Sequence, residues 1–309
     1  MEIAPSPPLR KLKPNLSLSS KPRIACEIAA DRVLAGRVSD AAPTVEACSS
    51  QELSPGVVVP DMMEANLKQR DALSRALRSS LESVGGRSRD VIAILPDASS
   101  RVAWLDFDTL PSGREEAEGV VRFRLKKSLP FNIDEAKVSY HAHAANGGVR
   151  VVAAVALTSV IQEYESLFRE LGYSPGVVLP SMLAALGAVN ADRPTLVVKV
   201  DANTTGVAIL DQQQLLLIRT LENPRGIAIT GEQLAEDIYP SVVFFEDTYH
   251  LNIQQIFVAG LPETGGAAPA LRAQTGAEVQ ELVASSQLSG SLGTVPKWRM
   301  AGVVGALLG

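Results

Sequence analysis

The order of predicted strands and helices repeats within this chain of 309 residues. From Pro22, the apolar pattern predicts a strand, a tight turn, two further strands, a helix and another strand. The same order begins again at Leu196, with little residue identity between the two copies. A repeat of this kind is one structural unit used twice, so we expect two α/β lobes with a cleft between them.

Composition restricts the classes of protein to which this chain can belong. Apolar residues make up 46% of the sequence and charged residues 20%, a balance typical of a folded soluble protein and not of a disordered one. The net charge of −5 comes from interspersed signs, and aromatic residues are only 5%. Neither a basic face nor a row of stacking aromatics is expected, which argues against a nucleic-acid partner.

The two ends of the chain differ in composition. Residues 1–22 are rich in Pro and Ser with scattered basic residues, which predicts a flexible tail, with a basic docking arm as the alternative. The apolar run 300–308 is too short for the ~20 residues of a membrane span, so we expect a packed terminal helix. The sequence shows no secretory signal, and Cys26 lies in an apolar run typical of a core strand, as expected in a reducing cytoplasm.

The first copy of the repeat is interrupted. Its strands are predicted within 22–38 and at 57–59, with a polar loop at 41–51, and Asp61 is predicted to cap a long helix that ends at Gly85. A separable β-α-β-β-α block follows at residues 101–172. In this block Asn146-Gly147-Gly148 predicts a hairpin, Ser159 and Gln162 a helix-capping box, and Phe131 a buried anchor.

The second copy contains every element of the first. Three strands are predicted at 196–200, 205–210 and 215–219, a helix at about 231–249 and a fourth strand at 255–259. We therefore divide the chain as follows: a tail (1–22), a first lobe (23–99 and 173–193), an inserted subdomain (100–172) and a second lobe (194–309).

Three short segments carry a family resemblance. The runs RVAWLDFDTLP (101–111), KSLPF (127–131) and KVSY (137–140) resemble the extra subdomain of the PilM family of type IV pilus assembly proteins, which is related to FtsA. Arg219, after the third strand of the second lobe, also matches. The resemblance covers roughly residues 23–309. It implies the actin-like, ribonuclease H-like α/β fold with two lobes.

The resemblance also implies partners and a location. PilM-type proteins lie in the cytoplasm against the inner membrane and bind the short cytoplasmic N-terminal tail of the membrane protein PilN. This chain is therefore expected to be peripheral to the inner membrane, recruited by a PilN-like protein and other platform proteins. The cytoplasmic part of GspL from type II secretion is similar, but it continues into a membrane span that this chain lacks.

The family binds nucleotide between the lobes, and the first of its two phosphate-binding turns corresponds to residues 27–32. The usual glycine is replaced by Ala29, while Asp31 and Arg32 follow it. Asp31 would place a negative charge beside the phosphate oxygens, which is repulsive unless a metal ion intervenes.

The second turn and the adenosine position also differ from the family pattern. Asp201 is retained, either to stabilise the turn or to hold metal-bound water, and Thr204 and Thr205 supply hydroxyl groups. Asn203 occupies the position of the phosphate-binding glycine, and Gly260 is the one glycine left of the usual adenosine pair. The segment between the helix at 231–249 and the following strand is too short for the helical subdomain that normally covers the nucleotide.

These departures together predict a scaffold with weak or lost nucleotide binding and no ATPase activity. The alternatives are a nucleotide switch that binds ATP and Mg²⁺, and an FtsA-like division protein. His141 and His143 share one strand face but lack a third metal ligand nearby, so solvated histidines are expected. A basic patch on the inserted helix is interpreted as a solvated face, with docking as the alternative; it comprises Arg122, Arg124, Lys126 and Lys127.

Overall fold

The computed structural model describes residues 21–145, 147–262 and 264–309, which form three β-sheets with helices between and around them. Most of the predicted tail, and Asn146 of the predicted hairpin, lie outside the described residues. The predicted α/β class with two lobes and an inserted subdomain is confirmed.

The first sheet has six strands in the order β14-β3-β2-β1-β4-β8. The strands are β1 (Ile24–Ile28), β2 (Arg32–Val38), β3 (Val45–Glu52), β4 (Asp90–Leu95), β8 (Ser174–Pro180) and β14 (Leu288–Ser291). β1 to β3 form an antiparallel meander, and β4 and β8 add parallel to β1. Both faces of β1 are buried, because Ile24, Cys26 and Ile28 face one core and Ala25 faces another.

The second sheet repeats this arrangement with five strands in the order β11-β10-β9-β12-β13. The strands are β9 (Thr195–Val200), β10 (Thr204–Asp211), β11 (Gln214–Glu222), β12 (Gln255–Ala259) and β13 (Glu278–Glu281). Again the first three strands are antiparallel, and the next two add parallel to the first strand. The internal duplication predicted from the sequence is therefore a duplication of sheet topology.

The inserted subdomain is a three-stranded antiparallel sheet in the order β5-β7-β6, covered by one helix. Its elements are β5 (Arg101–Phe107), α2 (Arg114–Lys126), β6 (Ala136–Ala145) and β7 (Gly148–Leu157). Val121 and Leu125 of α2 pack on the sheet and are fully buried. The prediction for Phe131 was wrong in degree: this side chain is half-buried and contacts two cores, while Ile133 is the buried residue of the same loop.

The remaining helices lie outside and between the two large sheets. They are α1 (Arg70–Val84), α3 (Thr158–Glu170), α4 (Ser181–Leu186), α5 (Gly231–Tyr249), α6 (Thr264–Thr275) and α7 (Ala301–Leu308). α1 and α3 share a core with one face of the first sheet, and α5 and α6 share a core with one face of the second. α4 and α7 share a core with residues of both sheets, so the predicted packed terminal helix is confirmed.

Three sequence interpretations of the first lobe were wrong. The third strand is Val45–Glu52, most of which falls in the polar loop predicted at 41–51 because its side chains are mainly polar; in the structure most of them are only partly buried. The segment 57–59 contributes only an isolated bridge between Val58 and Leu67. Asp61 does not cap α1; its carboxylate accepts hydrogen bonds from the amides of the two residues Met63 and Glu64, and α1 begins at Arg70.

The position of the capping box and one strand of the first sheet also differ from the sequence predictions. Ser159 and Gln162 form no capping box, because α3 begins at Thr158, two residues earlier than an N-cap at Ser159 predicts, and its first turn contains Ser159. The capping box is instead at the start of α5, where Thr230 and Gln233 bond reciprocally. β14 was not predicted; it returns from the second lobe and pairs parallel with β3.

Candidate functional site between the two large sheets

The two turns aligned with phosphate-binding turns are closed by equivalent backbone hydrogen bonds. In the first, the amide of Ala29 donates to the carbonyl of Arg32 at 2.8 Å; in the second, the amide of Asp201 donates to the carbonyl of Thr204 at 2.8 Å. All the loop residues are described, and none has a positive φ. Asn203 therefore does not adopt the left-handed conformation that asparagine tolerates, and neither turn requires a glycine.

Two ion pairs cross from one lobe to the other between these turns. Lys199 of β9 lies 3.2 Å from the carboxylate of Glu27 of β1, and Arg32 of β2 lies 3.4 Å from the carboxylate of Asp201. Lys199 also contacts Asp201, and Arg32 contacts Asp31 at 2.8 Å. Each lobe thus contributes one cation and one anion to the two ion pairs that join the lobes.

These charges are buried and mutually dependent. The side chains of Lys199 and Glu27 are 2% and 1% exposed. Burial alone would lower the pKa of Lys199 and of Arg32, but the surrounding carboxylates outweigh it and raise both. Burial would raise the pKa of Asp201, but Lys199 and Arg32 outweigh it and lower that pKa. Asp201 is therefore held as an anion by two cations, one from each lobe.

Asp97 completes the acidic side of this cluster. It follows β4, and both of its carboxylate oxygens accept from the amide of Met182 at the start of α4, at 2.9 and 3.1 Å. Burial raises the pKa of Asp97 to about 7, although Lys199 opposes the shift. The hydroxyl of Ser181 donates to Glu27. Ser181 and Met182, the first two residues of α4, thus connect this helix to the carboxylates between the lobes.

The space left between the turns is small. Its volume is about 20 Å³, and it is lined by Glu27, Asp97, Asp201, Asn203 and Thr204 among others. A single water needs about 10–15 Å³ by the same measure, whereas pockets for small molecules and cofactors are commonly about 300–1,000 Å³. In this conformation the space between the two turns is therefore large enough for about one water molecule.

Gly260 and Thr205 lie away from this space. Gly260 has φ +83°, and a Cβ there would lie 1.7 Å from the carbonyl oxygen of Val200. Its amide donates to the carbonyl of Trp298 at 2.7 Å, so the segment before α7 covers it. Thr205 is 1% exposed within β10. The glycine is thus explained by close backbone packing between two strand ends.

The structure brings together only part of the predicted set. Asp31, Arg32 and Asp201 belong to one ion-pair cluster, and Asn203 and Thr204 line the same small space. Sequence reasoning missed Lys199 and Asp97. Lys199 is the one charged residue in a fully buried strand, two positions before Asp201 and on the same strand face. A single lysine in an otherwise apolar strand indicates a buried ion pair, because a buried cation needs an anionic partner.

A second concave feature lies between the first lobe and the inserted subdomain. This groove of about 550 Å³ is lined by β8, α3 and the sheet of the inserted subdomain. Among the described strands, β8 pairs only with β4 and β6 only with β7, so both are edge strands with a row of unpaired backbone groups. Val178 and Ile161 line the groove, as do the paired charges Arg169 and Glu165, 2.6 Å apart.

The residues that the structure describes offer few other sites. Within them, no three His, Cys, Asp or Glu side chains are grouped to hold a metal ion, and no helix is long and apolar enough to cross a membrane. His143 packs edge-on against Trp104 with ring centres 6.1 Å apart and stacks on His141 at 6.3 Å.

Comparison with known proteins gives no match to a family model and none to a curated protein. Solved structures do match. A chain of the PilM–PilN type IV pilus biogenesis complex is similar over 93% of this chain and 98% of its own length, with a TM-score of 0.76 and 18% identity.

The cytoplasmic domain of EpsL, an inner-membrane component of the type II secretion system of Vibrio cholerae, is similar over 92% of each chain, with a TM-score of 0.52 and 10% identity. The chain therefore has the actin-like fold in the form found in PilM.

Proposed function

We propose that this protein is a cytoplasmic scaffold of a type IV pilus or related secretion platform. In this proposal it binds the cytoplasmic N-terminal tail of a PilN-like membrane protein, which holds it at the inner membrane beside other platform proteins. The similarity to a chain of a PilM–PilN complex over nearly its whole length supports the proposal. So does the similarity to a cytoplasmic domain of a type II secretion component.

The groove between β8 and β6 is the observation on which the proposal depends. An extended peptide that enters it meets two strand edges, either of which can add the peptide as a further strand. Val178, Leu179 and Ile161 supply apolar contacts for alternate side chains of such a peptide. Ordering a tail costs conformational entropy, so a dissociation constant of micromolar order, about −8 kcal/mol, is expected.

The ion pairs between the lobes support a scaffold that works without nucleotide. The cations Arg32 and Lys199 lie beside the two aligned turns, and both are already bound by carboxylates. A triphosphate would have to displace Asp201 and Glu27 while adding negative charge beside Asp97. That exchange is unfavourable in a buried site, since each displaced carboxylate would lose its counter-ion.

Peptide binding tests the proposal. A labelled peptide from the cytoplasmic N-terminus of a co-encoded PilN-like protein is titrated with the full chain and followed by fluorescence anisotropy. We expect binding without added nucleotide. Gly176 lies on β8 in the groove, and a Cβ there meets nothing within 4 Å. Gly176→Tyr should therefore fold normally, fill the groove and weaken binding at least tenfold.

Gly266 provides the matched control, because it is also exposed and a Cβ there also meets nothing within 4 Å, but it lies on α6 of the other lobe. Gly266→Tyr should bind the peptide as the wild type does. Failure of the wild-type chain to bind, with or without Mg-ATP, would remove the scaffold assignment. Binding that appears only with Mg-ATP would favour a nucleotide switch instead.

A further inference from the structure

A cleft of about 570 Å³ lies between the inserted subdomain and the second lobe. The end of β5 and the start of β7 form one wall, and the turn between β10 and β11 and the end of α5 form the other. Three carboxylates and several apolar side chains line this acidic cleft, among them Asp106, Asp108, Asp211, Val149, Leu216 and Leu251. It shares no lining residue with the groove between β8 and β6.

Arg150 of β7 is the one cation among the described residues that line the acidic cleft, and it is already bound. Its guanidinium pairs with Asp106 at 2.8 Å and lies 5.9 Å from the ring centre of Tyr249 on the opposite wall. No cation of the described residues lies within ion-pair distance of Asp108 or Asp211. Two carboxylates of the cleft therefore carry an uncompensated charge.

Two other large concave surfaces have the opposite charge balance. The groove between β8 and β6 is lined by two cations and one carboxylate, and a hollow of about 600 Å³ at the start of β1 by three cations and one carboxylate. Of these three surfaces, the acidic cleft is the one that attracts a cationic ligand.

The N-terminal segment of the chain has the complementary composition. Positions 9–13 are LRKLK, and Glu2 is the one acidic residue among positions 1–20. Three cations thus alternate with two apolar side chains, which matches a cleft lined by carboxylates and by leucine and valine.

A short series of contacts leads from the start of the described chain to the acidic cleft. The ammonium of Lys21 donates to the carbonyl of Gly309, and Gly309 packs against the backbone of Gly187, after α4. Four residues later, the carbonyl of Ala191 accepts from the amide of Gln213 at 2.7 Å. Gln213 belongs to the turn between β10 and β11, which forms one wall of the cleft.

We propose that residues 9–13 bind in the acidic cleft of the same chain. They precede the described chain by 8 to 12 positions, about 26–40 Å when extended, so they can reach it. Their cations then neutralise Asp108 and Asp211, and their leucines contact the apolar walls. Because the segment is tethered, its effective concentration is of millimolar order and a weak contact is sufficient. The bound segment joins the inserted subdomain to the second lobe, and this binding does not depend on the proposed function.

Trypsin cleavage of the full chain tests this contact, because trypsin cuts after Arg10 and Lys11 only while the segment is unbound. Both cleavage rates are measured by mass spectrometry against a synthetic peptide of residues 1–20 in the same solution. We expect the full chain to be cut about fivefold more slowly, as for a tethered segment that is bound most of the time.

Paired variants show whether the acidic cleft provides this protection. Asp108→Asn/Asp211→Asn removes the uncompensated charges, so its cleavage rate should rise to within about twofold of the peptide. Asp71→Asn/Asp134→Asn is the matched control. It removes the same charge from two exposed positions, one on α1 and one before β6, and should stay as protected as the wild type.

Carbodiimide cross-linking locates the segment, because it joins a lysine directly to a carboxylate that it contacts. We expect amide bonds from Lys11 or Lys13 to Asp108 or Asp211. A mixture of ¹⁵N-labelled and unlabelled protein shows that each bond lies within one chain.

Four results would overturn the proposal. The full chain could be cut as fast as the peptide, or the Asp108/Asp211 variant could be as protected as the wild type. Cross-links that join only labelled to unlabelled chains would assign the acidic cleft to the segment of a second copy. Protection that appears only with vesicles containing phosphatidylglycerol would assign the segment to membranes.

Discussion

Lys199 lies in the buried strand β9 between the two lobes, and its surroundings explain why a lysine is tolerated there. Its ammonium contacts carboxylates from both lobes, Glu27 and Asp201, and almost none of its side chain is exposed. A buried cation without partners would lose its charge or destabilise the fold. Here the partners come from different sheets, so the charge of Lys199 also joins the lobes.

Replacing Lys199 with Met should destabilise the protein strongly. Methionine has a similar length, but Glu27 and Asp201 would lose a counter-ion in a buried site, so we expect a loss of about 3–5 kcal/mol in the free energy of unfolding. Urea denaturation measures this loss. A loss below about 1 kcal/mol would show that the pair with Glu27 is not formed in solution.

Two further variants test whether the loss of stability comes from the buried ion pairs. Lys297→Met removes a surface partner of Glu281, 3.1 Å away and partly exposed, and should cost at most about 1 kcal/mol. Adding Glu27→Gln to Lys199→Met removes one of the uncompensated charges, so the double variant should recover part of the lost stability.

At the scale of elements, the glycines of α4 and α7 determine how closely the two helices approach. A Cβ at Gly305 of α7 would lie 2.1 Å from the carbonyl oxygen of Ala184 in α4. A Cβ at Gly187, after α4, would lie 2.3 Å from the carbonyl oxygen of Gly305. The helices therefore meet backbone to backbone in the core that both lobes share.

Gly305→Ala should push α7 away from α4. The obstructing atom belongs to a helix backbone and cannot rotate away, so we expect a loss of about 1–3 kcal/mol, measured by thermal or urea unfolding. Gly119 in α2 is the control, because a Cβ there meets nothing within 4 Å. Gly119→Ala should stabilise the helix by up to about 1 kcal/mol. Equal effects of the two substitutions would contradict this account of the contact.

At the scale of the whole molecule, the two lobes share one hydrophobic core and a set of ion pairs. Residues such as Ile92 of the first sheet, Val197 of the second and Val304 of α7 belong to the same buried cluster. Opening the lobes would expose this core and break the pairs of Lys199 and Arg32. Nucleotide-driven opening would therefore have a large energetic cost.

Calorimetry with Mg-ATP tests this description of the cleft. We expect a dissociation constant of about 1 mM or weaker, worth only about −4 kcal/mol. At about 1 mM Mg-ATP the added stability should be no more than about 0.4 kcal/mol, so the melting temperature should hardly change. A low-micromolar constant would mean that the ion pairs rearrange for nucleotide, and would restore the switch hypothesis.

The sequence by itself determined the duplicated strand order, the inserted subdomain and the buried terminal helix, because these depend on local periodicity and turn chemistry. Only the tertiary structure revealed β3 and β14, since these strands are short or polar and are defined by their neighbours in the sheet. For the residues of the cleft, too, local sequence determined one part and tertiary packing the other. Asp201 and Arg32 were selected from turn positions, but the pairs Arg32–Asp201 and Glu27–Lys199 each join side chains 169 or more positions apart in sequence. Only the packing of one lobe on the other brings them together.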